Sequence, residues 1–148
     1  MAVPAVPLVS HLRRARDLID RQYAEPLDLD AMARTAGYSR YHFARAFRAA
    51  YGETPRAYLT RRRIERAQDL LRTANLTVTE ICHLTGFSSL GSFSARFTEL
   101  VGVPPTESRR RQAARGGPPP IPGCFLMAWG GPKPGSANGE KPGRDPAP

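Results

Sequence analysis

The feature that most constrains this chain is a repeat within its helical part. GYSRYHFARAFRAAYG starts at Gly37, and the similar stretch GFSSLGSFSARFTELVG starts at Gly86. The matched positions are mostly apolar residues, glycines and prolines, which lie 49 residues apart up to the turn and 50 apart after one inserted residue. The first copy contributes Leu27, Leu29, Met32, Ala33, Gly37, Tyr38, Phe43, Phe47, Gly52 and Pro55, which match Leu76, Val78, Ile81, Cys82, Gly86, Phe87, Phe93, Phe97, Gly102 and Pro105. Each copy predicts a helix, a tight glycine turn and a second helix, and two copies are too few for a solenoid.

Helical periodicity and capping residues set the expected boundaries. Apolar residues recur at spacings of three and four before Gly116, which predicts helices throughout this part. The first helix is predicted from the stripe Leu8, Leu12, Ala15, Leu18, Ile19 and Tyr23. Later helices are expected to begin at capping signals, which are Asp28, Ser39, Thr54 with Pro55, the capping box Thr77 to Glu80, Ser88 or Ser89, and Pro104 with Pro105. Residues expected to face inward from the second helix of each copy are Phe43, Phe47, Ala50, Phe93 and Phe97.

These elements predict an all-α, homeodomain-like fold in which two tandem helix-turn-helix units are joined by a long linker helix. The linker would be about 27 Å long at about 1.5 Å per residue. That length can hold two recognition helices about one turn of DNA, roughly 34 Å, apart. The predicted domain covers residues 1–115, with the first unit at about 28–52, the linker helix at about 54–73 and the second unit at about 77–102.

The composition changes at Gly116. Of the 33 residues in 116–148, 17 are Gly or Pro, so this tail is expected to be mostly disordered. One apolar segment, residues 124–129, interrupts it. Docking of this segment on the folded domain is the favoured interpretation, and binding to a partner or nonspecific contact remains open.

The charge of the chain indicates a nucleic-acid partner. The formal net charge is +9, and residues 1–115 contain 19 Arg, 11 Asp and Glu, and no Lys. Arginine suits bidentate contacts to phosphate and guanine, although a GC-rich genome would produce the same bias. Either origin leaves a basic surface, and the usual binding partner of such a surface on a small soluble domain is nucleic acid.

Nothing in the sequence indicates catalysis, a metal or a membrane. The three histidines are scattered, the two cysteines lack metal-ligand spacing, and we find no nucleophile with a base, phosphate-cradling glycine loop or carboxylate pair. No apolar run approaches the length of a membrane span, and the first residues reverse the order of a secretory signal. We therefore expect a cytoplasmic protein with no cofactor that is not an enzyme.

The stretch from about Leu8 to Arg111 resembles the AraC/XylS transcription regulators. GYSRYHFARAF is similar to the first recognition helix of that family, and GFSS, SFSARF and VGVPPTESRRR are similar to its signature in the second half. The resemblance implies a bacterial regulator that binds double-stranded DNA. Because the chain has no room for a separate sensor domain, it resembles the short, sensorless members, which bind asymmetric sites as monomers and mostly activate promoters. RNA polymerase is then a second expected partner.

The resemblance also indicates which residues of the first recognition helix contact DNA. Tyr41, Ala44 and Arg45 fall at base-reading positions, and the guanidinium of Arg45 can bind guanine bidentately, worth about 1–3 kcal/mol of discrimination. Tyr41 can meet a thymine methyl or a phosphate, whereas Ala44 offers only an apolar contact. Residues expected near the phosphates are Ser39, Arg40, His42 and Arg48. A solvated surface charge is the alternative for each arginine.

The second recognition helix carries side chains that are less suited to base recognition. Its base-reading positions fall on Leu90, Ser92 and Ser94, but Ala95 stands where the first copy has Arg45. Arg96 lies about 100° further round the helix and cannot substitute directly. We therefore expect the first unit to supply most base discrimination and the second mainly phosphate contacts and shape readout. Further phosphate candidates are Ser89, Arg96, Arg61, Arg62 and Arg110, with Arg63, Arg109 and Arg111 beside them, and a solvated face is their alternative.

A second function remains open from the sequence. The chain could be a protein-interaction module with vestigial DNA binding that acts through segment 124–129. The weak second recognition helix favours that alternative. Salt dependence discriminates the two, because a domain that contacts six or more phosphates loses binding by orders of magnitude as salt rises a few fold.

Overall fold

The computed structural model describes residues 6–117 and 121–122. In these residues it contains seven α-helices, which confirms the all-α prediction. The helices are α1 (Val6–Gln22), α2 (Leu29–Ala36), α3 (Arg40–Tyr51), α4 (Pro55–Thr73), α5 (Val78–Leu84), α6 (Leu90–Val101) and α7 (Pro105–Ala114). Helices α2 with α3 and α5 with α6 are the two helix-turn-helix units, and α4 is the linker.

Most of the helices begin at the capping residues that the sequence predicts. The side chain of Ser39 accepts a hydrogen bond from the backbone N–H of His42 at 3.4 Å, and that of Ser89 accepts one from Ser92 at 3.2 Å. Of the two candidates for the sixth helix, the N-cap is therefore Ser89. These bonds satisfy backbone donors that the first helical turn leaves free. Equivalent caps are formed by Asp28, by Thr54 with Pro55 following, and by the Thr77 to Glu80 capping box.

Two hydrophobic cores form, one for each unit, and α4 contributes to both. The first core contains Phe43 and Phe47, which are fully buried against α1 and α2. The second contains the repeat-equivalent Phe93 and Phe97, also fully buried. The early part of α4 packs Tyr58 and Leu59 into the first core, and its later part packs residues into the second, which are Ile64, Ala67, Leu70 and Leu71. Since one helix serves both cores, the units are joined by packing as well as by the chain.

One expected core residue is exposed. Ala50 was predicted to face inward from α3, but it lies on the solvent side, whereas Ala46 packs against the first core. The stripe defined by Phe43 and Phe47 continues to Tyr51, which is eight residues after Phe43, and Ala50 falls beside that stripe.

Two short strands add to the helices. β1 (Ala74–Asn75) pairs in parallel with β2 (Ile121–Pro122), so the start of the Gly/Pro-rich region returns to the end of the linker helix. The expected disorder of 116–148 and the docking of 124–129 fall almost wholly outside the described residues and stay predictions. Among the helices described, none is long and apolar enough to cross a membrane.

Candidate DNA interface

The exposed face of α3 carries the predicted reading residues of the first unit. Tyr41 is 75% exposed, Arg45 is exposed and Ala44 is half-buried. The guanidinium carbon of Arg45 lies 5.8 Å from the centre of the Tyr41 ring, one helical turn away. Within residues 6–117, Arg45 has no carboxylate partner, so its guanidinium donors are available to a ligand. The two side chains form an aromatic and cationic pair that can contact the edge of a DNA base together.

The flanking residues of α3 surround this pair with positive charge. Arg48 is exposed, and Arg40 lies 3.7 Å from Asp30 with both side chains more than half exposed. Such a long, solvated ion pair contributes little, so a phosphate can replace the carboxylate. The ring of His42 instead packs 4.9 Å from that of Tyr38. Ser39, which caps α3, retains a hydroxyl hydrogen that can be donated to a phosphate.

The corresponding face of α6 is exposed but lacks a cation at the reading positions. Leu90 is 45% exposed, Ser92 and Ala95 are exposed, and Ser94 is half-buried. A methyl group added at Gly91 would meet no atom within 4 Å, so this part of the helix presents open backbone. The two faces therefore differ in charge and exposure, and the unequal division of base reading between them stays a prediction.

Arg96 is held by a carboxylate on its own helix. Its Nη1 lies 2.5 Å from Oε2 of Glu99, three residues later, and both side chains are more than half exposed. Glu99 was not identified from the sequence as part of the surface, although the spacing of three residues from Arg96 was a usable signal. A phosphate that binds Arg96 must compete with this carboxylate.

The linker arginines have partners within the protein. Arg61 forms ion pairs with Glu53, at 2.7 Å, and with Glu65. Arg62 binds Asp20 at 3.0 Å and Glu65 at 2.7 Å. These pairs tie α4 to α1 and to the turn before α4, so both guanidinium groups hold the fold together. Phosphate contact by either arginine stays a prediction and would require one of these pairs to open.

The pKa values of this network reflect its pairing. Burial raises the pKa of Tyr58 to about 12, assisted by the hydrogen bond that its hydroxyl donates to Asp20 at 2.8 Å. The hydrogen bond to Glu53 raises the pKa of Arg61, against the opposing effect of burial. Burial alone would raise the pKa of Glu65, but hydrogen bonds from Arg61 and Arg62 outweigh it, so this pKa is lowered. At neutral pH, Arg61 and Glu65 therefore carry opposite charges, and Tyr58 keeps the proton that it donates to Asp20.

Of the remaining predicted cations, three have polar partners within the chain, and Nη2 of Arg109 is buried without a hydrogen-bond partner among the described residues. Nε of Arg63 donates to the backbone oxygen of Tyr23 at 2.6 Å. On α7, Arg110 and Arg111 both bind Glu107, at 2.8 and 3.2 Å. Arg109 is half-buried, and burial lowers its pKa although Glu80 opposes this effect. The arginines of α3 therefore have the weakest interactions within the protein among the cations predicted to contact DNA.

The described residues contain no group of three or more His, Cys, Asp or Glu side chains that could hold a metal ion. Cys82 is fully buried in the second core, and burial raises the pKa of its thiol, as expected for a small core residue.

The fold and the two exposed helix faces define a tandem helix-turn-helix domain. A family described as "Helix-turn-helix domain" matches residues 32–111, which is more than half of the chain. The chain belongs to the AraC family of helix-turn-helix transcription regulators, whose members are not enzymes. This confirms the resemblance noted in the sequence.

Curated relatives support the same family. The regulatory protein SoxS of Escherichia coli is 31% identical over 106 residues, covering 70% of this chain and 99% of SoxS. The transcriptional activator AarP of Providencia stuartii is 36% identical over 88 residues, covering 60% of this chain and 65% of AarP. An AraC-like transcription regulator of Streptomyces lividans is 40% identical over 79 residues, but the match covers only 26% of that protein and 53% of this chain.

Solved structures agree with the fold. The C-terminal domain of AraT, a response regulator from Geobacillus stearothermophilus, has a TM-score of 0.67 and 30% identity, covering 70% of this chain and 87% of that one. The DNA-binding domain of AdpA, solved in complex with a target DNA, has a TM-score of 0.63 and 30% identity, covering 75% of this chain and 96% of that one.

Proposed function

We propose that this chain is a sequence-specific regulator of transcription that binds double-stranded DNA as a monomer, with α3 and α6 in two successive major grooves. The observation that carries the proposal is the pairing of two equivalent units on one helix, each with an exposed, serine-capped recognition helix. The structural similarity to the AdpA domain, which was solved in complex with a target DNA, supports DNA binding by this chain. Since α4 has 19 residues, it is about 27 Å long, which suits grooves about 34 Å apart.

The two recognition helices have unequal roles in this proposal. Arg45, exposed beside Tyr41 and free of carboxylates in the described part of the chain, supplies bidentate recognition of guanine in the first half-site. The face of α6 offers Leu90, Ser92 and Ser94, which support apolar contact and shape readout. Arg96 supplies phosphate attraction after leaving Glu99. Base discrimination is therefore concentrated in the first half-site.

Activation, through contact with RNA polymerase, is the mode that we propose. AarP, whose name describes a transcriptional activator, supports this choice. The alternative, a protein-interaction module acting through 124–129, lies outside the described residues. The lack of a cation at the predicted reading positions of α6 agrees with that alternative, whereas the exposed Arg45 and Tyr41 on α3 favour DNA binding.

Selection of bound sites from random duplex DNA by the full chain tests the proposal. We expect a long asymmetric motif with most of its information in one half. Arg45→Ala is expected to relax base preference at one position, with a loss of about 1–3 kcal/mol for the preferred base. Arg96→Ala is expected to lower affinity without changing the preferred bases.

Two outcomes would contradict the proposal. If no motif is enriched and binding depends only on salt, the protein is a basic helical scaffold, and its function moves to the tail. If Arg96→Ala changes base preference at a defined position, the unequal division between the helices is wrong.

A further inference from the structure

The two helix-turn-helix units meet midway along α4. Here the loop after α1 approaches the turn after α5, with one side chain of α4 between them. We call this set of residues the inter-unit joint, and its members are Tyr23, Ala24, Glu25, Arg63, Gly86 and Phe87.

The side chain of Arg63 connects the two sides of the joint. Its Nε donates to the backbone oxygen of Tyr23 at 2.6 Å, and its Nη2 donates to that of Glu25 at 2.8 Å. The guanidinium carbon also lies 5.7 Å from the centre of the Phe87 ring. One cation therefore donates two hydrogen bonds to the loop of the first unit and lies over an aromatic ring of the second unit.

Backbone atoms of the two units also approach closely at this point. A methyl group built on Gly86 would lie 2.9 Å from the Cα and the oxygen of Ala24 and 2.9 Å from the oxygen of Tyr23. The φ angle of Gly86 is +90°, a conformation that other residues rarely adopt. Only glycine allows this approach, so the two units are fitted to each other as well as linked by a helix.

The chemistry of Arg63 indicates a positioning role. Its partners are neutral carbonyls, and burial lowers its pKa, so it holds its charge in a position where charge is unfavourable. A methionine would occupy similar space without that cost, which indicates that the donors of the guanidinium are what the site uses. A lysine could not reproduce the fork of Nε and Nη2.

A second attachment, away from the axis of α4, changes how the units can move. A single shared helix leaves rotation about its own axis and bending as the softest relative motions of two packed units. A contact that joins the loop of the first unit to the turn of the second, away from that axis, opposes both. The conformational entropy of the relative position of the two recognition helices is then lost on folding and not on DNA binding.

We infer that Arg63 is a positioning residue that fixes the separation and rotation of α3 and α6, so that the chain accepts one spacing between its two half-sites. This inference rests on the proposed function and adds a determinant of spacing to it. Sequence reading had placed Arg63 among the candidates for phosphate contact. Its hydrogen bonds within the protein favour the positioning role.

The test is a panel of the selected DNA site with base pairs inserted or removed between its halves. One base pair rotates a half-site by about 34° and shifts it by about 3.4 Å, so wild-type binding is expected to weaken about tenfold or more. With Arg63→Met, binding to the best site is expected to weaken modestly, and the spread across the panel to fall below about threefold. The control is Arg72→Met, which removes a charge from the exposed end of the same helix and is expected to keep the wild-type spacing profile.

Two results would overturn the inference. A folded Arg63→Met protein with the wild-type spacing profile would remove the positioning role. Equal weakening at every spacing, with a shallower dependence on salt, would make Arg63 a phosphate contact. Where Arg63→Met does not fold, Arg63→Lys provides the same test, because it keeps the charge, loses the fork and is expected to show an intermediate spread.

A measurement without DNA separates this inference from the proposed function. Spin labels at Ala50→Cys and Leu100→Cys, which are exposed and repeat-equivalent, report the distance between the two units in a Cys124→Ser background. Cys82, fully buried, is expected to remain unlabelled. The wild-type distance distribution is expected to be single and narrow, and Arg63→Met is expected to broaden or shift it. An unchanged distribution overturns the inference even if the chain selects a site, and a broadened one supports it even if no site is selected.

Discussion

Glu99→Gln is expected to increase the affinity of this protein for DNA. Glu99 binds Arg96 on the outer face of α6, and side-chain exposures of 54% for Arg96 and 62% for Glu99 make this a solvated ion pair. Such pairs contribute about 0–1 kcal/mol, so removing the competing carboxylate gives a gain of up to about fivefold in affinity. Loss of a negative charge from a surface that we propose to face phosphates acts in the same direction. Glutamine forms helices about as well as glutamate, so stability is expected to stay within about 0.5 kcal/mol.

Fluorescence anisotropy with a labelled duplex measures this effect across a range of salt concentrations. The gain is expected to be largest at low salt and to shrink as screening increases. Asp69→Asn is the matched control, because it breaks a similar exposed pair with Arg72 near the end of α4, outside both recognition helices. Adding Arg96→Ala to Glu99→Gln should cost more affinity than Arg96→Ala does alone. The reasoning is refuted if Glu99→Gln leaves affinity unchanged or lowers it, or if Asp69→Asn raises it equally.

Three further predictions concern stability. Phe97→Ala removes a fully buried ring from the second core and is expected to cost about 3–5 kcal/mol, measured by urea unfolding; a cost below about 1 kcal/mol would show that this core is loosely packed. Gly91→Ala adds a methyl group in open space on α6 and is expected to stabilise by about 0.5–1 kcal/mol, seen as a higher Tm, with an unchanged or lower Tm as the contrary result. Tyr58, whose folded pKa of about 12 exceeds its ordinary value of 10.0, adds stability that is present below pH 10 and lost between pH 10 and about 12. Tyr58→Phe should flatten this alkaline loss of stability, and an equally steep loss in the variant would contradict the assignment.

Much of the fold could be predicted because its signals are local. The caps at Ser39 and Thr54 and the spacing of Phe43 with Phe47 depend on residues within one or two helical turns, and each was found where the sequence indicated it. Ala50 was misplaced because an alanine at the edge of an apolar stripe carries little hydrophobic signal. The pairing of Ile121 with Ala74 could not be read from the sequence, since it joins residues far apart in the chain.

The arginines show where sequence reading of the site reaches its limit. Arg45 and Arg61 look equally basic in the sequence, but one is free of carboxylates in the described structure and the other is bound by Glu53 and Glu65. The bond to Glu65 was visible as a spacing of four residues, whereas that to Glu53 depends on how α3 turns into α4. The role of Arg63 in the inter-unit joint could not be predicted from the sequence. Its acceptors are backbone carbonyls about 40 residues earlier, and no composition or spacing identifies them.

The most direct test of the central claim is a hydroxyl-radical footprint of the complex of one chain with one selected duplex, isolated on a gel. Two recognition helices held on α4 are expected to protect two patches about ten base pairs apart on one face of the DNA. Arg45→Ala should weaken protection mainly in one of them. A single protected patch, or two patches only when two chains are bound, would contradict the claim that one chain reads both grooves.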